Sequence, residues 1–327
     1  MVRTSLGASS LSLVAYYFNA TTASIVLAGC ACAVELLNSL IHKGGLLVKD
    51  VDPKALVVHL PSVSTDNIIQ LKGVINFRGL AGIPTRDGLR IKKQVLYRSA
   101  HLARIKEEDI DTLIALNIGT VVDLRSKREK TKLPDDLTKI SARDSTLTGV
   151  EDKLTLWASM IQLRDVVNLL LFNRHRIQPS LGEYYIDIVD NMVVELFGQF
   201  LVLLSDKDNL ACVVHCTAGK DRTGIFVALL LTLLNVEEEV IISEYSLTNL
   251  DFDRSFRGFC KGSSLKGYGI PDAQMKGSMV AEPQWMRNLL QHMKDKYGSV
   301  EGYVLNECGV DPEVLAKVRA NLLEKPE

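Results

Sequence analysis

No acidic residue precedes Glu35, and Arg3 is the one formally charged side chain in that stretch. None of the six cysteines forms a C-x-x-C pair, and there are only six histidines. Those two shortages exclude the usual structural zinc sets. Nor is there an excess of either charge: 38 Lys and Arg stand against 39 Asp and Glu, a formal net charge of −1. A protein-wide field for nucleic acid is thereby excluded, and any attraction for an anionic ligand must be local. The chain shows no internal repeat and no low-complexity tract. The uncharged, apolar-rich run at residues 23–34 is too short to span a bilayer alone.

Residues 1–50 therefore admit three readings. The favoured one is a helix packed on the rest of the chain. A signal segment is the second, because Ala31-Cys32-Ala33 has small-residue cleavage spacing. A lipoprotein-like box at Leu27-Ala28-Gly29-Cys30 is the third, although the basic flank is one Arg and the chain stays apolar after Cys30. Free cysteines without pairing spacing suit a reducing compartment. The expected setting is cytoplasmic, with membrane association or export as alternatives.

With 327 residues, 47% of them apolar, the chain can bury a full core without metals or disulfides. Residues 51–327 read as one α/β domain. Val95–Ser99, Thr120–Leu124 and Ala211–Val214 are short apolar strands, and Ile105–Leu116 between the first two has helical spacing. Strand, helix and strand in that order predict a central, mostly parallel twisted sheet flanked by helices. Asp87-Gly88 predicts a hairpin turn, and a short strand is expected within 46–60. Lys127–Lys132 is a charge run and reads as a solvated loop. A helical insertion is expected at about 150–180, then a long helix over Ile186–Leu204. Helices follow at Arg222–Leu234, Glu237–Asn249, Pro283–Tyr297 and Pro312–Leu323. The glycine-rich stretch 257–279 reads as a surface loop.

Residues 215–224, His-Cys-Thr-Ala-Gly-Lys-Asp-Arg-Thr-Gly, carry the chemistry. An apolar strand, a small-residue loop and a helix start form a known phosphate cradle, with loop amides and the helix N-terminus facing the anion. Cys216 stands at the strand exit and Arg222 at the helix start, with five residues between them. One turn of backbone then surrounds a tetrahedral anion, and the planar fork of Arg222 grips two of its oxygens. The same groups favour a thiolate at Cys216, a nucleophile for in-line displacement through a phosphocysteine. Thr217, Ala218, Gly219 and Lys220 are expected to contact the phosphate. Thr223 is expected to hydrogen-bond the sulfur, and His215 to orient the loop. Isolated C-x5-R spacing is a weak signal; here every neighbouring position also fits.

This loop resembles the signature of the protein tyrosine phosphatase superfamily, and residues 70–325 resemble its atypical branch. Asn76-Phe77-Arg78-Gly79-Leu80-Ala81-Gly82 is similar to that branch's N-F-R-D-x-G-G, with Gly79 in place of the usual Asp. Leu96-Tyr97-Arg98-Ser99-Ala100 is similar to its L-[YF]-R-S-[AG] strand. Asp123-Leu124-Arg125-Ser126 with Glu129 is similar to its D-L-R-[ST]-x-x-E segment. The resemblance implies a cysteine-phosphatase fold without cofactor or metal. It also implies activity on phosphotyrosine, in several members extending to phosphoserine, phosphothreonine or phosphoinositides.

The leaving oxygen needs a proton donor. No W-P-D segment is present, so Asp221 is the first choice and Asp123 the second. Lys220 adds a cation suited to multiply phosphorylated headgroups. Arg78 and Arg125 are expected to add substrate-facing charge, or else to be buried ion-pair members. Three functions follow. The first is a phosphomonoesterase for phosphotyrosine proteins. The second is a phosphoinositide phosphatase, with membrane contact through the N-terminal segment or the insertion. The third is a non-catalytic phosphate reader.

Overall fold

The computed structural model describes residues 51–145, 147, 177–262, 276–277 and 279–326. All of them fall in one unit, Asp50–Gln162 with Ile177–Glu327. The expectations for residues 1–50, and for the insertion as far as Arg176, lie outside the described residues.

The three expected strands form a sheet with two short polar edge strands that the sequence did not announce. Its strands are β1 (Arg78–Gly79), β3 (Leu96–Ser99), β4 (Thr120–Asp123), β5 (Arg143–Ser145) and β6 (Cys212–His215). Their spatial order is β1-β3-β6-β4-β5. Only β1 runs antiparallel, at one edge; β3, β6, β4 and β5 are parallel. The central strands are buried on both faces, which is why Val121-Val122 and Cys212–Val214 read as apolar. Side chains alternate across them. Leu96, Val122, Cys212 and Val214 join the larger core. Tyr97, Val121 and Val213 join a smaller one with Leu113 of helix α1 (Glu107–Ala115).

The larger core is built on α5 (Asp221–Leu233), whose residues from Thr223 to Leu231 are all buried. A helix apolar on every side belongs in a protein interior. Around it stand α3 (Ile177–Asn191), α4 (Val194–Ser205), α6 (Glu238–Ser246) and α8 (Pro283–Tyr297). Two helices expected to be continuous are broken. The long one over Ile186–Leu204 is split at Met192-Val193, where the chain bends by 74°. Among the described residues no single helix is long and apolar enough to cross a membrane. The one expected at Glu237–Asn249 ends in a 3-10 turn, Leu247–Asp251.

Two expected loops are helical. Lys127–Lys132 forms α2, because Ser126 and Glu129 make a reciprocal capping box. Residues 257–262 belong to α7 (Phe252–Gly262), anchored by the stacked rings of Phe252 and Phe256. No strand occurs in 51–60; Pro53–Leu56 is a 3-10 turn capped by Asp52. The Asp87-Gly88 turn does reverse the chain, through a single bridge between Pro84 and Arg90. The strand that follows it, β2 (Arg90–Ile91), pairs instead with β7 (Leu323–Glu324) after α9 (Val300–Asn306) and α10 (Pro312–Leu322).

Candidate active site

Strand β6 lies between β3 and β4 with Ser99 and Asp123 both in register with His215. Three strands thus end together, and Cys216 follows at their carboxyl edge, where parallel sheets hold their ligands. Cys216 is 2% exposed. The amide N–H groups of Thr217, Ala218, Gly219 and Lys220 have no acceptor among the described residues. A run of unpaired amides at the start of a buried helix is an anion site.

Gly219 has φ +67°, and a Cβ there would lie 2.3 Å from the Ser99 carbonyl oxygen. Left-handed backbone costs an ordinary residue about 1–2 kcal/mol before any clash. Gly219→Ala is therefore expected to lower Tm by several degrees and to cut turnover at least ~10-fold. Thermal unfolding beside steady-state kinetics checks both, and wild-type values would refute the close approach.

Buried polar groups brace the loop from behind. Asn76, itself at φ +57°, donates Nδ2 to the carbonyls of Ala218 at 3.1 Å and Gly219 at 2.9 Å. Arg98 Nη2 donates to the same Gly219 carbonyl at 2.8 Å. With those carbonyls held on one side, the loop amides are left to the other. Arg98 also meets Glu244 at 2.6 Å, and Arg78 meets it at 2.7 Å. The Arg78 side chain is 2% exposed, Arg98 0% and Glu244 3%. Burial and the charge of Arg98 pull Arg78 down to about 10, with Glu244 opposing. Arg78 therefore offers no charge to a ligand. The expected substrate contact is replaced by the ion-pair alternative, because its N–H groups are engaged by Glu244, Asn76 and Thr248.

Arg222 presents its two terminal nitrogens to Glu129, at 2.8 and 2.9 Å. It also donates to the Leu124 carbonyl at 3.1 Å and to Thr217 Oγ1 at 3.3 Å. Nε–H has no acceptor among the described residues, so the side of the guanidinium formed by Nε and Nη2 is held only by the long Thr217 contact. That side is the fork open to a phosphate. Burial acts to raise Glu129, but the hydrogen bonds and charge of Arg222 outweigh it and hold the carboxyl well below its usual range. Thr217 and Ser126 reinforce this. In the sequence Glu129 stood only as the last residue of the D-L-R-[ST]-x-x-E resemblance; its grip on Arg222 was not legible there.

Asp221 opens α5 with its two oxygens in different surroundings. Oδ1 accepts from Tyr185 at 2.7 Å and from Lys220 Nζ at 2.8 Å. Oδ2 has no donor among the described residues, and the side chain is 27% exposed. Tyr185 meets Tyr245 at 2.6 Å, and Lys220 Nζ also reaches the Val280 carbonyl at 3.2 Å and the face of Trp285. Lys220 is thus buried and engaged from several sides. It is neither a headgroup-facing cation nor a solvated lysine. Tyr184 lies near enough to the site to feel its charges. Burial pushes its phenol up, with Arg222 opposing and the charges of Asp221, Cys216 and Glu129 adding. Nothing in the sequence marked the Tyr184-Tyr185 pair.

Asp123 and Arg125 form a third buried group. Arg125 grips both oxygens of Asp123 at 2.8–3.0 Å and reaches Asp135 at 2.8 Å. Burial acts to raise Asp123, but the Arg125 hydrogen bonds and the charges of His215 and Arg125 hold it below its usual range. A carboxylate so held keeps no proton to donate, which removes Asp123 as the acid. Arg125, at 2% side-chain exposure, is likewise an ion-pair member rather than a substrate contact. His215 lies fully buried between these carboxylates, Nε2 3.1 Å from Asp135 and Nδ1 3.2 Å from the Cys216 carbonyl. It therefore touches the loop. Asp123, Asp135 and His215 could together ligate a cation. The guanidinium of Arg125 already supplies the positive charge between the two carboxylates.

Cys212, in β6 four residues before the nucleophile, makes a useful contrast. Burial pushes its thiol up to about 12, so it is inert at neutral pH.

A buried cysteine, a cradle of unpaired amides and an oriented arginine at the carboxyl edge of a parallel sheet define a cysteine-dependent phosphomonoesterase with the cysteine-phosphatase fold. The profile of the tyrosine phosphatase family matches residues 69–324. The chain is 32% identical over 259 residues to a tyrosine-protein phosphatase of Nostoc commune, covering 73% of this chain and 78% of that one. It is 25% identical over 288 residues to a triple specificity protein phosphatase of Mycobacterium tuberculosis, covering 78% of this chain and 98% of that one. The chain belongs to the tyrosine phosphatase family.

Proposed function

We propose that the enzyme dephosphorylates phosphotyrosine in proteins, with Cys216 as nucleophile and Asp221 as proton donor. The phosphate sits on the loop amides of residues 217–220 with two oxygens on the Nε side of Arg222. Cys216 sulfur attacks phosphorus, the bond to the tyrosine oxygen breaks, and Asp221 Oδ2 gives that oxygen its proton. Water then attacks the phosphocysteine while Asp221 takes the proton back, and orthophosphate leaves. Thr223, whose buried hydroxyl has no partner among the described residues, donates to the departing sulfur. Glu129 holds Arg222 in place throughout.

The observation that carries this reading is the pairing of unpaired amides with an arginine whose free edge faces the same loop. The buried position of Lys220 removes the specific reason to prefer a phosphoinositide, so phosphotyrosine protein leads. Phosphoserine and phosphothreonine peptides and a phosphoinositide complete the substrate panel.

The assignment of Asp221 makes a separable prediction. A poor leaving group needs the proton and a good one does not. Asp221→Asn is expected to lose roughly 100-fold or more on a phenyl phosphate with a basic leaving oxygen, and little on an activated aryl phosphate. Equal losses on both would move the acid elsewhere.

A further inference from the structure

Four cations occupy the six residues of α2: Lys127, Arg128, Lys130 and Lys132. In a chain of net charge −1, that is a local concentration with no protein-wide cause. Its ordinary explanation is a solvated helix face. Position argues otherwise. The single anion of this helix, Glu129, is bound to Arg222 and Thr217 of the catalytic loop. The four cations make no ion pair among the described residues. Helix α2 is therefore pinned to the mouth of the site by its acid. Lys127, Arg128 and Lys132 stand exposed, while half-buried Lys130 also acts on Asp144.

Helical rotation fixes where the charges stand. Arg128 and Lys130 lie about 100° to either side of Glu129, and Lys132 lies most of a turn further along on Glu129's side. Exposed Arg104 belongs to the adjoining segment, where the His101 amide donates to the Thr217 carbonyl at 3.3 Å. Of the nearby acids, Asp144 interacts with Lys130, and the others are already engaged. Lys139 sits within 4 Å of both Glu107 and Asp136, and Arg125 holds Asp123 and Asp135.

We propose that α2 is a docking lip for acidic residues flanking the phosphotyrosine of a protein substrate, so that the enzyme selects phosphotyrosine in acidic sequence. This rests on the phosphotyrosine reading above. A point charge on the lip suits carboxylates that vary in position, because lysine heads move and need no fixed fork. Exposed pairs are individually weak and screened by salt, so the effect is a sum and an ionic-strength effect.

The test compares two phosphotyrosine peptides, one flanked by Asp and Glu and the other by Asn and Gln. They are assayed with wild type and with the fourfold variant K127A/R128A/K130A/K132A, which keeps Glu129. Wild type is expected to favour the acidic peptide about 10-fold in kcat/KM at low salt, mostly through KM. The preference should shrink towards unity at ~1 M salt and in the variant. The salt titration of wild type carries the test if the variant does not fold. Equal kcat/KM for the two peptides in wild type, or a preference that salt and the variant leave intact, would overturn the proposal. Failure to turn over either peptide would instead sink the phosphotyrosine reading, and the proposal with it. A phosphoinositide in anionic vesicles preferred over both peptides, with that preference lost in the variant, would replace the acidic segment by a lipid surface and refute the occupant named here.

Discussion

Cys216→Ser is expected to lower kcat by at least ~10⁴-fold while phosphate and phosphopeptide still bind. The reason is local. A serine hydroxyl at this position keeps the shape of a side chain that is 2% exposed, so the fold has no cause to change. The loop amides, the start of α5 and the open fork of Arg222 remain, and these hold the anion. What disappears is the thiolate, because no general base stands ready to activate a hydroxyl in its place. His215, the adjacent imidazole, is turned to the Cys216 carbonyl and Asp135. Binding of inorganic phosphate by calorimetry, alongside single-turnover kinetics, separates the two effects. Turnover surviving in Cys216→Ser would exclude a phosphocysteine. Loss of phosphate affinity along with turnover would mean that the sulfur itself organises the loop. Cys212→Ser is the control for a cysteine without a role: its thiol is fully buried in the core.

The catalytic loop was legible because its chemistry is contiguous. Cys216, Gly219, Arg222 and Thr223 lie within eight residues, and spacing alone sets their geometry around a tetrahedral anion. The parallel sheet was legible for a related reason: its central strands carry apolar cores such as Val121-Val122 and Cys212–Val214. What could not be read was the pairing of charges across long separations. Arg78 and Arg98 meet at Glu244, 166 and 146 residues away in sequence, and no local pattern distinguishes a buried arginine from one facing substrate. Lys220 posed the same difficulty, because its partners Val280 and Trp285 come from a distant segment. Glu129 fell between these cases. The capping box S-x-x-E was present in the sequence and would have turned the charge run 127–132 into a helix. That the same carboxylate also serves Arg222 needed coordinates. Where a residue's role depends on a charge brought from another strand or helix, sequence did not suffice; some local roles, such as the α2 cap and the Asp123–Arg125 pair, were present in the sequence but not read from it.

The largest effect on stability should come from Glu244→Gln. Two arginines and one glutamate are buried together behind the loop, a surplus of one positive charge with almost no access to water. Burial acts to raise the Glu244 carboxyl, but the charges and hydrogen bonds of Arg78 and Arg98 outweigh it and hold it below its usual value. Removing the charge leaves two buried guanidinium groups facing each other with no anion between them. Breaking one buried pair costs about 3–5 kcal/mol, and here one substitution breaks two. An unfolding free energy lowered by ~4 kcal/mol or more is the expected result, read from the denaturant midpoint at unchanged m. The pH dependence has a definite sign. A carboxyl whose folded pKa is depressed contributes stability above its ordinary value near 4.5 and loses it as pH falls further. The gap between wild type and Glu244→Gln should therefore be full at neutral pH and narrow in acid. A gap independent of pH would mean that the glutamine disturbs packing rather than charge. Function should fall with stability, because Arg98 holds the Gly219 carbonyl that turns the loop amides towards phosphate. Under conditions where the variant remains folded, KM for phosphopeptide should still rise, since the cradle loses the brace behind it. A folded variant with wild-type KM would show that Asn76 alone sets the loop, and that the triad serves the fold and not the site.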